Sequence, residues 1–100
     1  MTSPTGHLVV DGVRLAHRDR GRGEPVVFLH GTPSRSYEWR EVVPRIEEAG
    51  HRTVVYDLLG YGLSERPVDR DTSVAAQTDL LGGVLDALGL DSADIVAHDG

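Results

Sequence analysis

The chain alternates short apolar runs with clusters of turn residues, and the length and period of each run separate strand from helix. Residues 7–10 and 13–18 are β-like runs separated only by Asp11-Gly12. An Asp-Gly pair in that position predicts a tight hairpin, because a primed two-residue turn needs positive φ at both central residues. Gly21, Gly23 and Pro25 then break the chain. Val26, Val27, Phe28 and Leu29 follow without a polar interruption, which is the pattern of a strand covered on both faces. The runs 53–56 (TVVY) and 95–97 (IVA) predict two more buried strands of the same kind.

Between these runs the period becomes helical. Trp39, Val42, Val43, Ile46 and Ala49 mark one apolar face of a helix over 37–49. Pro44 inside it predicts a kink, or a break and restart, and Gly50 a C-terminal cap. A second helix is predicted over 74–88, with Thr72 or Ser73 as N-cap and Gly89 just past its end. Its expected inward stripe is Val74, Thr78, Leu81, Leu85 and Leu88. A hairpin followed by strand–helix–strand–helix–strand belongs to the α/β class. It implies a mostly parallel sheet, right-handed crossovers and helices covering the faces. Ligand sites in such sheets lie beyond the carboxyl ends of the strands. Residues 30–36, 57–64 and 98–100 fall there, and they hold the chemically distinctive side chains.

Composition narrows the functional classes. The 100 residues suffice for one small domain. A net charge of -6 with no Lys/Arg cluster argues against nucleic acid or an anionic membrane as partner. The absence of cysteine excludes disulfides and thiolate metal sites. No pair of histidines or carboxylates has metal-ligand spacing, and no cofactor is expected. The start, MTSPTGHLVV, has neither the basic head nor the apolar run of a signal peptide. No stretch reaches the ~18 apolar residues of a membrane span. A cytoplasmic protein acting on a small molecule is the expectation, with oligomeric state left open.

Three strings carry a family resemblance. VVFLHGTPSRSYEWR resembles the strand and oxyanion loop of the α/β-hydrolase family, VVYDLLGYGLSERP its next strand and loop, and ADIVAHDG the strand leading into its nucleophile elbow. Their order and spacing cover most of the chain. The elbow reads small-x-nucleophile-x-small. Ala97, His98, Asp99 and Gly100 fill its first four positions, which puts Asp99 in the nucleophile slot. Serine there would imply esterase-, lipase- or peptidase-like chemistry. Aspartate resembles the haloalkane dehalogenase and epoxide hydrolase branch, in which the carboxylate is alkylated and the ester is then hydrolysed. The resemblance makes the backbone N–H groups of Thr32 and Gly100 the oxyanion donors. His30, Gly31 and His98 take supporting roles, with His30 shaping the oxyanion loop. It also implies that residues 1–100 form the N-terminal part of one three-layer α/β-hydrolase domain. The acid partner, the catalytic histidine and the cap would come later in the chain, so the segment alone is expected to be inactive.

The sequence departs from that branch in two places. Family dehalogenases usually carry Trp after the nucleophile and often Asn after His-Gly, both holding the leaving halide. Gly100 and Thr32 stand at these positions. Other readings remain open at this level. Asp99 sits where a strand turns into a helix, and Asp is a favoured N-cap. The same fold also serves non-catalytic binding proteins. Gly60 and Gly62 suggest a dinucleotide loop, but Glu65 stands where its third glycine belongs, and turn glycines account for them better. Asp57 is expected to accept hydrogen bonds from nearby loop N–H groups. Tyr37 and Trp39 are read as core or pocket wall, and Glu47-Glu48 as a solvated helix face.

Overall fold

The computed structural model describes residues 4–31 and 34–98. Its elements are β1 (Gly6–Val10), β2 (Val13–Arg20), β3 (Pro25–Leu29), a 3-10 turn (Ser36–Trp39), α1 (Val43–Glu48), β4 (Arg52–Tyr56), α2 (Val74–Ala87) and β5 (Asp94–Ala97). The five strands form one sheet in the order β1-β2-β4-β3-β5. β1 and β2 are the expected hairpin, and Asp11 (φ 49) and Gly12 (φ 79) supply the two positive φ angles of its turn. β2 pairs antiparallel with β4, whereas β3 runs parallel to both β4 and β5.

The chain steps from β3 to β4 on one side, then crosses back to β5 on the other. Right-handed crossovers in opposite directions must lie on opposite faces of a sheet. The packing agrees. Val26, Phe28 and Val55 meet Val43, with Trp39 and Ile46 against them, on the α1 face. Val27, Val54, Tyr56 and Leu15 meet Leu80 and Val84 on the α2 face. Successive side chains of β3 and β4 thus serve opposite cores, which is why their runs carry no polar alternation.

Four expectations need correction. The predicted helix over 37–49 is two pieces, because the chain breaks at residues 40–42 and restarts. Pro44 lies in the first turn of α1, where its missing N–H is not needed, so the break precedes the proline. Val42 is 40% exposed, and Ala49 is also exposed, so neither belongs to the buried face. On α2 the cap is right: the Ser73 Oγ accepts from the Ala76 N–H at 3.3 Å. Of its expected inward stripe, Leu81, Leu85 and Leu88 do pack partly buried against the core, but Val74 and Thr78 do not. Leu80 and Val84 are buried, Val74 is 84% exposed, and the Thr78 hydroxyl turns back to the Val74 carbonyl. Apolar residues cover so much of α2 that periodicity alone does not locate the centre of the stripe.

The third correction is Glu47. Its carboxylate turns onto the sheet and meets the guanidinium of buried Arg18 at 3.3 Å, while Glu48 is exposed. The fourth is β5. It is apolar but not buried: Ile95 is 42% and Val96 37% exposed. β5 is an edge strand paired only with β3, and no described element covers its faces. No helix among the described residues is long and apolar enough to cross a membrane.

Candidate active site

The carboxyl ends of β3, β4 and β5 converge on one cluster of polar contacts, built in three layers. The deepest is Asp57, directly after β4 and 1% exposed. Its Oδ1 accepts from the Ser36 N–H at 2.7 Å and its Oδ2 from the Leu63 N–H at 2.9 Å. This is the acceptor role expected of it, and it ties the loop after β3 to the loop after β4. Ser64 inserts its hydroxyl into the end of the β2–β4 ladder, accepting from the Ala16 N–H at 2.8 Å and donating to the Asp57 carbonyl. That use of the hydroxyl leaves Ser64, 5% exposed, no role as a nucleophile.

Gly62 completes this layer. It has φ +53, and a Cβ there would lie 2.3 Å from Asp57 Oδ2. Glycine is required twice over, for the left-handed backbone and for the approach to a buried carboxylate. Gly62→Ala is expected to cost about 1–3 kcal/mol from backbone strain alone, read as a lowered urea midpoint at unchanged m-value. A loss below a few tenths of a kcal/mol would show that the loop rearranges freely.

The second layer is His30, 3% exposed. Its Nε2 faces the Leu58 N–H at 2.9 Å and its Nδ1 the Gly31 carbonyl at 2.8 Å. An N–H can only donate, so Nε2 accepts and Nδ1 carries the hydrogen. Both ring nitrogens are occupied by backbone, and the ring thereby ties the end of β3 to the loop after β4. Tyr61 packs edge-on against the ring at 5.6 Å. The amide of Gln77 reaches across from α2, accepting from the Leu59 N–H at 3.2 Å and donating to the Leu59 carbonyl at 2.9 Å.

The third layer joins β3 to β5. Leu29 pairs with Ala97, and the His98 N–H continues the ladder to the Leu29 carbonyl at 3.0 Å. Glu38, on the 3-10 turn, bridges the segments that follow these strands. Its Oε1 accepts from the Gly31 N–H at 3.0 Å, and its Oε2 meets His98 Nδ1 at 2.6 Å. Trp39 beside it packs on Phe28 against the core, as one of the two readings expected, and edge-on against His98. Tyr37 is 45% exposed, flanked by the guanidinium groups of Arg35 and Arg40, and it lines a smaller cleft of about 190 Å³ with Pro4, Arg35, Asp57 and Leu63. A groove of about 550 Å³ opens between α2 and β5, lined by His30, Gly31, Tyr61, Gln77, Ala97 and His98 among others.

Burial pushes the Glu38 carboxyl up, but hydrogen bonds from Ser34, the Gly31 N–H and His98, with the charge attraction of His98, outweigh it and hold the group below the ordinary carboxylate value. A folded-state value below the unfolded one contributes stability that is present above the unfolded value and lost as pH falls through the folded one. The melting-temperature advantage of the wild type over Glu38→Gln is therefore expected to hold at pH 5–6 and shrink below about pH 4. A gap that widens in acid would contradict this.

Of the residues singled out from the sequence, Gly31, His30 and His98 are brought together. Thr32, Asp99 and Gly100 lie outside the described residues. Glu38 was missed, because a lone acidic residue within a predicted helix carries no spacing signal.

The strand order and the two-faced packing agree with the family comparisons. The alpha/beta hydrolase fold family matches residues 24–99, and the chain belongs to it. The chain is similar to an epoxide hydrolase of Caballeronia sordidicola, 39% identical over 92% of this chain and 28% of the relative. It is also similar to a haloalkane dehalogenase of Mycolicibacterium smegmatis, 44% identical over 65% of this chain and 22% of that protein. Among solved structures, an alpha/beta hydrolase fold protein from Burkholderia ambifaria superposes with a TM-score of 0.91 at 38% identity, covering 99% of this chain and 36% of that one. The chain thus spans about a third or less of the length of these relatives.

Proposed function

We propose that this segment supplies the nucleophile and the oxyanion donors of a hydrolase that works through an aspartyl ester, as part of a longer chain. The observation that supports it best is the joining of His98 to Gly31 through one carboxylate at the ends of neighbouring parallel strands. Those residues immediately precede Asp99 and Thr32 in the chain, so the segments leading into the candidate nucleophile and one oxyanion donor are tied together. The Asp99 carboxylate attacks a tetrahedral carbon of a small haloalkane, and the halide leaves with the bonding electrons. Water, deprotonated by a histidine from the rest of the chain, then adds to the carbonyl carbon of the ester. The N–H groups of Thr32 and Gly100 hold the oxyanion, and collapse releases the alcohol and regenerates the carboxylate.

A second substrate class has its own support, since the epoxide hydrolase relative aligns over 92% of the chain. Gly100 and Thr32 also lack the usual halide-holding side chains. With an epoxide the same attack opens the ring, and the leaving oxygen stays on the product. The deciding experiment is mass spectrometry of full-length protein quenched during turnover with 1-bromobutane and, separately, with styrene oxide. A mass increment on the peptide containing Asp99 is expected. Turnover without any covalent adduct, or an adduct elsewhere, would defeat the reading. The 100-residue segment by itself is proposed to turn over neither compound, and clear catalysis by it would refute that part.

A further inference from the structure

We propose that Glu38 is a positioning residue that sets the spacing between Gly31, which follows β3, and His98, which follows β5; its catalytic consequence rests on the aspartyl-ester reading above. The contacts form a continuous relay. Buried Asp57 holds the Ser36 N–H at 2.7 Å, which fixes the first residue of the 3-10 turn. Glu38 stands two residues further along that turn. One of its oxygens takes the Gly31 N–H at 3.0 Å and the other takes His98 Nδ1 at 2.6 Å. Trp39, the next residue, rests on Phe28 of the core and abuts the His98 ring. The carboxylate is thus mounted on a platform held from below and spans two segments that the β3–β5 ladder alone ties only through the His98 N–H.

Each anchored residue directly precedes a candidate reacting or donating group, namely Thr32 after Gly31 and Asp99 after His98. The bond to Glu38 fixes the Gly31 N–H, and the Gly31 carbonyl, part of the peptide that leads to residue 32, is held by His30 Nδ1 at 2.8 Å. Fixing the His98 ring limits the rotation of the backbone entering Asp99. A shift of about 1 Å between a nucleophile and its oxyanion donors can cost roughly 10²-fold in rate. Because a carboxylate only accepts, His98 Nδ1 carries the hydrogen in this bridge.

Two variants separate span from charge. Glu38→Gln keeps both bonds when His98 is neutral: its Oε1 accepts from Gly31 and its NH2 donates to His98 Nδ1. Glu38→Asp keeps the charge but is one methylene too short to reach both partners. In full-length protein, Glu38→Asp is expected to lose roughly 10²-fold in kcat with KM within about threefold, whereas Glu38→Gln stays within about threefold of wild type in both. A Glu38→Asp protein that melts like wild type and keeps its kcat would overturn the proposal. So would a Glu38→Gln protein as impaired as Glu38→Asp, because charge and not span would then be what matters.

NMR of the Gly31 amide and the His98 ring nitrogens keeps the test independent of the ester chemistry. If the wild type forms no adduct on Asp99, the functional reading fails. The positioning role still stands if Glu38→Asp moves these signals and leaves those of Val27 and Val54 in place; it falls if they do not move. Should Glu38→Asp fail to fold, Glu38→Gln decides: a wild-type Gly31 amide signal together with a His98 Nδ1 that becomes an acceptor supports the bridge, and a displaced Gly31 amide signal overturns it.

Discussion

Replacing Asp99 by alanine in the full-length protein is expected to lower kcat by on the order of 10⁴-fold or more, with little change in melting temperature. The size follows from the role. A residue that forms the covalent intermediate acts as a unit with its base and oxyanion donors, and its loss removes the whole reaction path, not one of several parallel contributions. The competing reading of Asp99 as a helix N-cap predicts the opposite division. A lost cap costs about 1 kcal/mol of stability and need not touch the rate. Steady-state kinetics and a thermal melt on the same two proteins therefore separate the readings. Retained turnover with a lowered melting temperature would make Asp99 a cap and end the enzymatic proposal.

The largest effect on stability is expected at Asp57. Its carboxylate is 1% exposed and satisfies the Ser36 and Leu63 N–H groups. Alanine there leaves both donors facing an apolar surround, and each unsatisfied buried group costs about 1–3 kcal/mol. Asp57→Ala should thus destabilise by about 2–5 kcal/mol, a large share of the 5–15 kcal/mol that typically holds a domain together. Asp57→Asn keeps one acceptor and turns an amide donor toward the other N–H, so it should recover only part of the loss. The check is urea unfolding followed by near-UV absorption of Trp39, which sits on the 3-10 turn that Asp57 anchors through Ser36. A change below about 1 kcal/mol for alanine would mean that water enters the site and replaces the carboxylate. Because Ser36 starts the turn that carries Glu38, Asp57→Ala should also loosen the bridge to His98.

Much of this was legible in the chain. The Asp11-Gly12 hairpin, the two buried runs around Val27 and Val54, and the Ser73 cap are local or period-two signals. Each depends only on neighbours a few residues away, and each matches the structure. The acceptor role of Asp57 was also readable, since a carboxylate ending a strand in a glycine-rich turn has N–H groups within reach. What misled were patterns whose meaning depends on which surface is nearby. Ile95 and Val96 look like a buried strand, yet they sit at a sheet edge beside an open groove. Val74 and Thr78 continue the apolar stripe of α2 but are exposed at the groove between α2 and β5, while Leu80 and Val84 meet the core. Glu47 looks like surface until Arg18 is found beneath it.

By itself the sequence determined the elements, their parallel character and the three loops in which polar groups gather, because these follow from residue period and turn chemistry along the backbone. Tertiary structure alone decided that β5 lies beside β3, that α1 and α2 take opposite faces, and that Glu38 reaches both Gly31 and His98. The reason is one of range. Pairing between strands and the span of a single side chain depend on distances closed only when segments far apart in the chain have folded together.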